Sequence, residues 1–275
     1  MRDALLTLFL LICLCRAQIP PEVPRFELLE LSIRVPSPDD APFNTSSLET
    51  WVEVTEPGGI LTTCRPFLKQ NFSREQDPSG NEIVKPQGAP FFAVRFAPTM
   101  FGLHVLKQRF SAGANVTGIV PLNGSFVCTA PLRVDGFASV DPAYRQYFTL
   151  DGGQTAHWLV GENMGWAGVW PYFNGSARWS NGTGGTYMYD RYLGRLAAAG
   201  GNWVRLWLGP SLITEPTWDS ELGSFLGMSL MGQVPFGTYN LAAAWRVDYV
   251  VELARSLGIK ITVVLDAQQA CCTPG

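Results

Sequence analysis

The second half of the sequence alternates between two spacings of apolar residues, one typical of strands and one typical of helices. Three short apolar runs, each the length of a buried strand, lie at His157 to Val160, Trp203 to Leu208 and Lys260 to Asp266. A segment with helical spacing separates each run from the next. This β-α-β-α-β order, with nearly continuous apolar strands, predicts a parallel sheet.

Both predicted helices have start and stop signals. Thr186 can cap a helix that ends at Gly200-Gly201, and Asn240 can cap one that ends at Gly258. The residues predicted to face the sheet are Tyr189, Leu193, Leu196 and Ala197 in the first helix and Ala244, Val247, Val251 and Ala254 in the second.

Two folds fit this order, a doubly wound sheet and a (β/α)8 barrel. The loop lengths favour the barrel. The connections after the first two strands, Gly161 to Gly185 and Gly209 to Tyr239, are long, whereas the helix-to-strand turns are short. Barrels carry their long loops at the carboxyl ends of their strands. No Gly-rich dinucleotide or phosphate motif follows the first strand. We therefore expect residues 144–275 to form the first three strands of a (β/α)8 barrel.

The first half reads as all-β. Leu29, Leu31, Ile33 and Val35 alternate with polar residues, and further short strands are separated by turns rich in Pro, Gly, Asn and Asp. This spacing predicts an immunoglobulin-like β-sandwich over residues 25–135. His104 and Asp135 are expected to be ordinary surface or turn residues.

The N-terminus has the features of a secretory signal peptide over residues 1–17. Arg2 precedes the apolar stretch Leu5 to Leu14, and small residues flank a cleavage point after Ala17. A membrane anchor is the alternative, but the stretch is shorter than the roughly 20 apolar residues of a span. We expect a secreted, extracellular protein with no membrane span after cleavage. Six glycosylation sequons follow, at Asn44, Asn71, Asn115, Asn123, Asn174 and Asn181.

The cysteines and the net charge limit the disulfides and the ligands that this chain can be expected to have. Cys64 and Cys128 remain in the first half and are expected to form a disulfide in an oxidising compartment, with two buried thiols as the alternative. The partners of Cys271 and Cys272 are open. A net charge of −3 and a pI near 5.5 give no basis for nucleic-acid binding. No metal-ligand spacing or cofactor motif is present, so we expect neither a metal nor a cofactor.

Arg205 is the most informative polar residue because it lies in the middle of an apolar strand. Alternation places Val204, Leu206 and Leu208 on one face and Arg205 on the other. The aliphatic face suits packing against helices, so Arg205 should point into the barrel. A buried guanidinium needs a carboxylate partner, either one in an active site or one in a structural ion pair.

Polar residues also close the neighbouring strands. Glu162 and Asn163 end the first predicted strand, and Asp266 ends the third. Such positions line the site of a barrel, so Glu162 is a candidate partner of Arg205 and both carboxylates are catalytic candidates. Loop caps or surface charges are the alternative for both acids.

Aromatic residues crowd the first two connections. Flat rings with polar edges suit the faces of sugars, which predicts carbohydrate binding, although a loop can also pack its own aromatics. The candidate rings are Trp166, Trp170, Tyr172, Phe173, Trp179, Trp207 and Trp218, of which Trp166, Trp170 and Trp207 are the strongest.

These motifs together resemble known families over nearly all of the chain beyond the leader. The barrel segment resembles cellulase-like glycoside hydrolases of clan A, family 5-like, through Phe148 to Gly153, Leu159 to Trp166, Tyr189 to Leu193, Ala199 to Trp207, Tyr239 to Leu241, Ala244 to Asp248 and Gly258 to Lys260. The first half resembles the immunoglobulin-like domain of unknown function numbered 5060, through Phe92 to Pro98 and Gly124 to Cys128.

The resemblance implies hydrolysis of O-glycosyl bonds in a polysaccharide or glycan by two Glu residues, at the ends of barrel strands four and seven. It also implies that Arg205, on strand two, supports the nucleophile. The sequence stops at Gly275 after the third strand, so both Glu positions are missing and we expect this chain to be inactive alone. Two alternatives are a secreted, non-catalytic carbohydrate-binding or interaction protein, and a hydrolase that uses Glu162 with Asp266.

Overall fold

The computed structural model describes most of the chain. The described residues are 19–36, 42–44, 48–78, 82–133, 136–150, 155–164, 185–207 and 239–264. They form two layers of mostly antiparallel strands, a small antiparallel sheet, and a three-stranded parallel sheet with two helices.

Eight strands build the first half. They are β1 (Glu22–Pro24), β2 (Leu29–Ile33), β3 (Thr50–Thr55), β4 (Leu61–Cys64), β5 (Phe67–Gln76), β6 (Glu82–Phe96), β7 (Gly102–Phe110) and β8 (Asn123–Thr129). One sheet has the order β1-β8-β7-β3-β4 and the other β2-β6-β5. All pairs are antiparallel except β1 with β8.

The two sheets face each other across one apolar core. Val52 and Leu106 of the larger sheet and Leu31 and Val94 of the smaller one are all buried in it. The predicted alternation in β2 is confirmed, because Leu29, Leu31 and Ile33 are buried while Glu30 and Ser32 are not. A two-layer β-sandwich therefore occupies the first half of the chain.

His104 contradicts the sequence expectation, since its side chain is fully buried in this sandwich. Its ring stacks on that of Phe126 with centroids 4.8 Å apart, and Nδ1 lies 3.1 Å from the carbonyl oxygen of Gly102. The strand alternation that buries Leu106 also buries His104, two residues earlier. Asp135 lies outside the described residues.

The predicted disulfide between Cys64 and Cys128 is wrong, because the structure holds both as buried free thiols. Cys64 ends β4 and Cys128 lies in β8, with β3 and β7 between them. Three strand spacings separate the two residues by about 14 Å before any offset along the strands. A disulfide requires Cα atoms within about 7 Å.

A small antiparallel sheet follows the sandwich. It consists of β9 (Ala138–Val140), β10 (Phe148–Leu150) and β11 (Thr155–His157), in the order β11-β10-β9. The expectation of a parallel strand at His157 to Val160 is therefore wrong, since His157 ends an antiparallel hairpin. The first parallel strand begins only at Gly161.

The last part has the predicted β-α-β-α-β order. Its elements are β12 (Gly161–Asn163), α1 (Thr186–Ala198), β13 (Trp203–Trp207), α2 (Leu241–Ser256) and β14 (Lys260–Val264). The three strands are adjacent and parallel in the order β12-β13-β14. The parallel sheet predicted from the sequence is thus confirmed.

The helix boundaries match their signals with one exception. The Asn240 side chain accepts a hydrogen bond from the Ala243 amide at 3.0 Å, and Gly200 and Gly258 end the helices at φ of 81° and 73°. Thr186, predicted to cap α1, is instead its first residue. The cap position is Gly185, which has no side chain to offer.

Both helices cover the same face of the parallel sheet. Val204 and Leu206 of β13 pack in one cluster with Leu193 of α1 and with Val250 and Ala254 of α2. In α2 the buried face is rotated from the predicted one. The buried residues are Ala243, Arg246, Val250 and Ala254. Arg246, which is not among the predicted face residues, is buried in an ion pair with Glu82.

Four of the six sequon asparagines lie among the described residues, and all four are exposed: Asn44, Asn71, Asn115 and Asn123. Asn174 and Asn181 lie outside the described residues. Among the helices that the structure describes, none combines the length and the apolar character needed to cross a bilayer.

Candidate functional site

The parallel sheet brings three polar residues into one row. Asn163 of β12 pairs with Arg205 of β13, and Arg205 pairs with Thr262 of β14. Residues paired across parallel strands present their side chains on the same face. Val204 and Leu206, on either side of Arg205, point at the helices. The row Asn163, Arg205 and Thr262 therefore lies on the face away from the helices, as predicted for Arg205.

Trp203 extends this row toward the start of β13. It lies two residues before Arg205 and therefore on the same face. Its indole Nε1 donates to Thr262 Oγ1 at 2.9 Å. The bond orients the hydroxyl of Thr262, the strand partner of Arg205. This face thus combines an aromatic ring, a cation, an amide and a hydroxyl.

The end of β12 is tied to β13 next to the row. The Met164 amide donates to the Arg205 carbonyl at 3.0 Å, and the buried Met164 side chain joins the helix-side core. Gly161 begins β12, where an added Cβ would collide with the carbonyl of Trp203. Close backbone contact at both ends of β12 thus holds Asn163 opposite Arg205.

Glu162 does not partner Arg205, contrary to the sequence expectation. It pairs with Val204, which places it on the helix side of the sheet. There it makes a minor contribution to the raised pKa of Tyr192 on α1, whose main cause is burial. A catalytic pair of Glu162 with a residue on the opposite face is contradicted by this register. The sequence correctly placed Glu162 near the end of the strand, but it did not determine on which face of the sheet the side chain lies.

The other sequence candidates are not described at the level of side chains. Trp166, Trp170 and Asp266 lie outside the described residues, as do Cys271 and Cys272. Trp207 is the last residue of β13, and its side chain is outside the description too.

The row has a defined chemical capacity. Guanidinium, amide and hydroxyl groups bind hydroxyl and carboxylate oxygens, and an indole packs on apolar faces. Within the described ranges no three His, Cys, Asp or Glu side chains converge in a way that could hold a metal ion. The row itself, Asn163, Arg205 and Thr262, has no carboxylate. It can bind and orient a polar ligand or an acidic side chain.

The sequence identified Arg205 and Asn163 but missed Thr262. The available signal was in Ile261 to Val264, where Thr262 interrupts an otherwise aliphatic run. A polar residue at mid-strand, in line with Arg205, is the same signal that singled out Arg205.

Comparisons with known proteins concern the fold alone. No family model and no curated protein matches the chain. It is similar to the crystal structure of a candidate glycoside hydrolase from Bacteroides vulgatus, with a TM-score of 0.56 and 16% identity over 90% of this chain and 41% of that one. A second match, with a TM-score of 0.23 and 12% identity, is a Bacteroides ovatus GH5 xyloglucanase in complex with a XXXG heptasaccharide, covering 89% of this chain and 44% of that one. The chain spans less than half the length of either structure.

Proposed function

We propose that this chain is part of a secreted glycoside hydrolase that resembles clan A, family 5-like enzymes and acts on a polysaccharide or glycan. In this proposal residues 25–135 are an immunoglobulin-like domain similar to the domain of unknown function numbered 5060. Residues 144–275 supply the first three strands of a (β/α)8 barrel. Sequential parallel strands with both helices on one face support it. The fold likeness to the Bacteroides vulgatus protein also supports it.

The row of Asn163, Arg205 and Thr262 is the observation that carries the proposal. In a barrel, the face away from the helices is the interior, and residues near the carboxyl ends of the strands line the active site. Arg205 would hold a catalytic carboxylate in its ionised form through charge-assisted hydrogen bonds. Asn163 and Thr262 would bind sugar hydroxyls. Trp203 would hold the Thr262 hydroxyl in place through its hydrogen bond.

Secretion and glycosylation are part of the same proposal. The leader-like N-terminus and the four exposed sequons support a secretory route. All four belong to the sandwich half of the chain, and the row belongs to the parallel sheet.

A non-catalytic carbohydrate-binding protein is the second candidate. The observation that favours it is the absence of a carboxylate among Asn163, Arg205 and Thr262, the row as the structure describes it. Hydrolysis of a glycosidic bond requires two carboxyl groups across that bond. A described site with hydrogen-bonding groups and an indole but no carboxylate in the row would bind a glycan without cleaving it.

The test is glycan binding by calorimetry, with product analysis on the same samples, over a panel of glucans, xyloglucans and mannans. The guanidinium can also donate to sugar oxygens, so we expect Arg205→Met to weaken binding about tenfold or more through the loss of that charge-assisted hydrogen bond. Arg195→Met, an exposed arginine on α1, is the matched control. Product formation by the purified protein would exclude the non-catalytic candidate, whereas binding without product is expected for a barrel segment that is inactive alone. Equal affinities for Arg205→Met and Arg195→Met would overturn the assignment of the row.

A further inference from the structure

Helix α1 begins against the sandwich, and its first turn is held by a carboxylate from that domain. Glu82, the first residue of β6, has no solvent-exposed side-chain surface. Its Oε1 accepts the Thr186 amide at 3.0 Å and also the Thr186 hydroxyl. Amides in the first turn of a helix have no partner within the helix. Glu82 supplies that partner from 104 residues earlier in the chain.

Gly185 explains why the cap comes from elsewhere. It occupies the cap position with φ of 72° and no side chain, and an added Cβ would collide with the Glu82 carboxylate. A capping Ser, Thr or Asp on the helix itself would fill this space. The sequence therefore leaves room at Gly185 for the carboxylate of another domain.

The same carboxylate joins the second helix. Its Oε2 accepts Arg246 Nε at 2.5 Å, and the Arg246 side chain is 2% exposed. Arg74 of β5 lies beside this pair and donates to the Thr186 hydroxyl at 2.8 Å. It also pairs with Asp190, one turn along α1, at 2.8 Å. Two sandwich residues, Glu82 and Arg74, thus fix the first turn of α1.

The position of α1 bears directly on the row. Met188, Tyr189 and Leu193 of α1 pack in one cluster with Val204 and Leu206. The last two are the residues on either side of Arg205 in β13. A shift of α1 therefore moves the backbone that places the Arg205 guanidinium, since packed cores transmit displacement.

We propose that Glu82 is a positioning residue for the glycan site, acting across the domain boundary through the first turn of α1. This inference rests on the proposed function. It makes the sandwich a structural part of the site, although no sandwich residue need touch the sugar. The ligand is the same glycan, and the affinity of the protein for it depends on Glu82.

The test compares Glu82→Gln with Glu75→Gln by amide hydrogen exchange, amide chemical shifts and glycan affinity. Glu75 is on the neighbouring strand of the same hairpin but is 51% exposed and pairs only with the exposed Lys85 among the described residues, so it is the matched control. Gln has one acceptor oxygen, which cannot serve both the Thr186 amide and Arg246, so we expect the Thr186 amide to exchange up to about tenfold faster in Glu82→Gln. Glycan affinity should fall severalfold, and the amides of Val204 to Leu206 should shift. Glu75→Gln should match the wild type in all three.

A second variant covers the case in which Glu82→Gln fails to fold. Glu82→Met combined with Arg246→Met removes the cap and leaves no lone buried charge, a replacement that buried ion pairs often tolerate. Unchanged exchange at Thr186, or faster exchange with glycan affinity within about twofold of wild type, would overturn the proposal. If the wild type binds no glycan, the proposed function fails. In that case the amide chemical shifts of Val204 to Leu206 are the remaining readout. Changes in Glu82→Gln support a role of Glu82 in positioning the Arg205 strand, and unchanged shifts contradict it.

Discussion

Asn163 and Arg205 lie directly opposite each other on neighbouring parallel strands, with Thr262 on the far side of Arg205. Glu162, one residue before Asn163, is paired with Val204 and lies on the other face. A single step in register therefore decides which polar groups line the face away from the helices. The face that the structure describes carries a guanidinium, an amide and a hydroxyl beside an indole, and these groups suit an oxygen-rich ligand.

The buried ion pair between Glu82 and Arg246 predicts a large stability cost for its removal. Arg246→Ala leaves Glu82 buried without its charge partner, and we expect a loss of about 3 kcal/mol in the free energy of unfolding. Arg195→Ala, on the exposed side of α1, should cost no more than about 0.5 kcal/mol. Urea denaturation of both variants provides the measurement. Similar midpoints for the two would show that the pair contributes little.

Gly185 should tolerate alanine much less well than Gly200. Both have positive φ, 72° and 81°, so both substitutions incur the backbone strain of about 1 kcal/mol. Only at Gly185 does the added Cβ also collide with Glu82, whereas nothing lies within 4 Å at Gly200. We expect Gly185→Ala to lower the thermal midpoint by clearly more than Gly200→Ala. The reverse order would mean that Glu82 can move away at no cost.

Acid should weaken the junction between sandwich and helices through Glu30. Burial alone would raise the pKa of Glu30, but hydrogen bonds from Lys69 and Arg95 outweigh it and hold that pKa below its usual 4.5. Arg95 also pairs with Asp248 of α2, Nη1 to Oδ1 at 2.8 Å. A lowered folded pKa adds stability above pH 4.5 that is lost as the pH falls through the lower folded value.

The measurement for Glu30 is urea unfolding at about pH 6 and about pH 3. Wild type should lose more stability between the two than Glu30→Gln, which no longer titrates at that position. Glu75→Gln, whose exposed ion pair is screened by water, is the control and should follow the wild type. Equal acid sensitivity in all three proteins would contradict the role given to Glu30.

Cys64 and Cys128 should be unreactive thiols in the folded protein. Burial raises the pKa of both, so little of the reactive thiolate is present near neutral pH. We expect iodoacetamide to label both only after denaturation, with no reductant required. Peptide mass mapping without reduction is the measurement. A linked peptide containing both cysteines would contradict the strand order of the larger sheet.

The sequence was sufficient where one physical signal dominated. Alternation in Leu29 to Ile33 reported the buried face of a strand, and Asn240 and Gly258 marked both ends of α2. The parallel sheet and the face of Arg205 followed from the same kinds of signal. These features are local, so nearby residues determine them.

Features that depend on distant partners were not predictable in this way. Arg246 is buried on the face of α2 where Glu82, 164 residues earlier in the chain, pairs with it. The placement of Cys64 three strands from Cys128 depends on sheet order, which cysteine count does not report. The local signal of the buried pair was that Arg246 lies at helical spacing from the apolar residues Ala243 and Val250, and therefore on the same face of α2.

The most direct test of the account is a crystal structure of the protein soaked with an oligosaccharide that binds in solution. The account predicts sugar oxygens within hydrogen-bond distance of Asn163, Arg205 or Thr262, on the sheet face away from α1 and α2. It also predicts that Arg205→Met crystals, soaked in the same way, show no sugar at this face. Sugar bound only on the sandwich or on the helix side, with an empty Arg205 face, would contradict it.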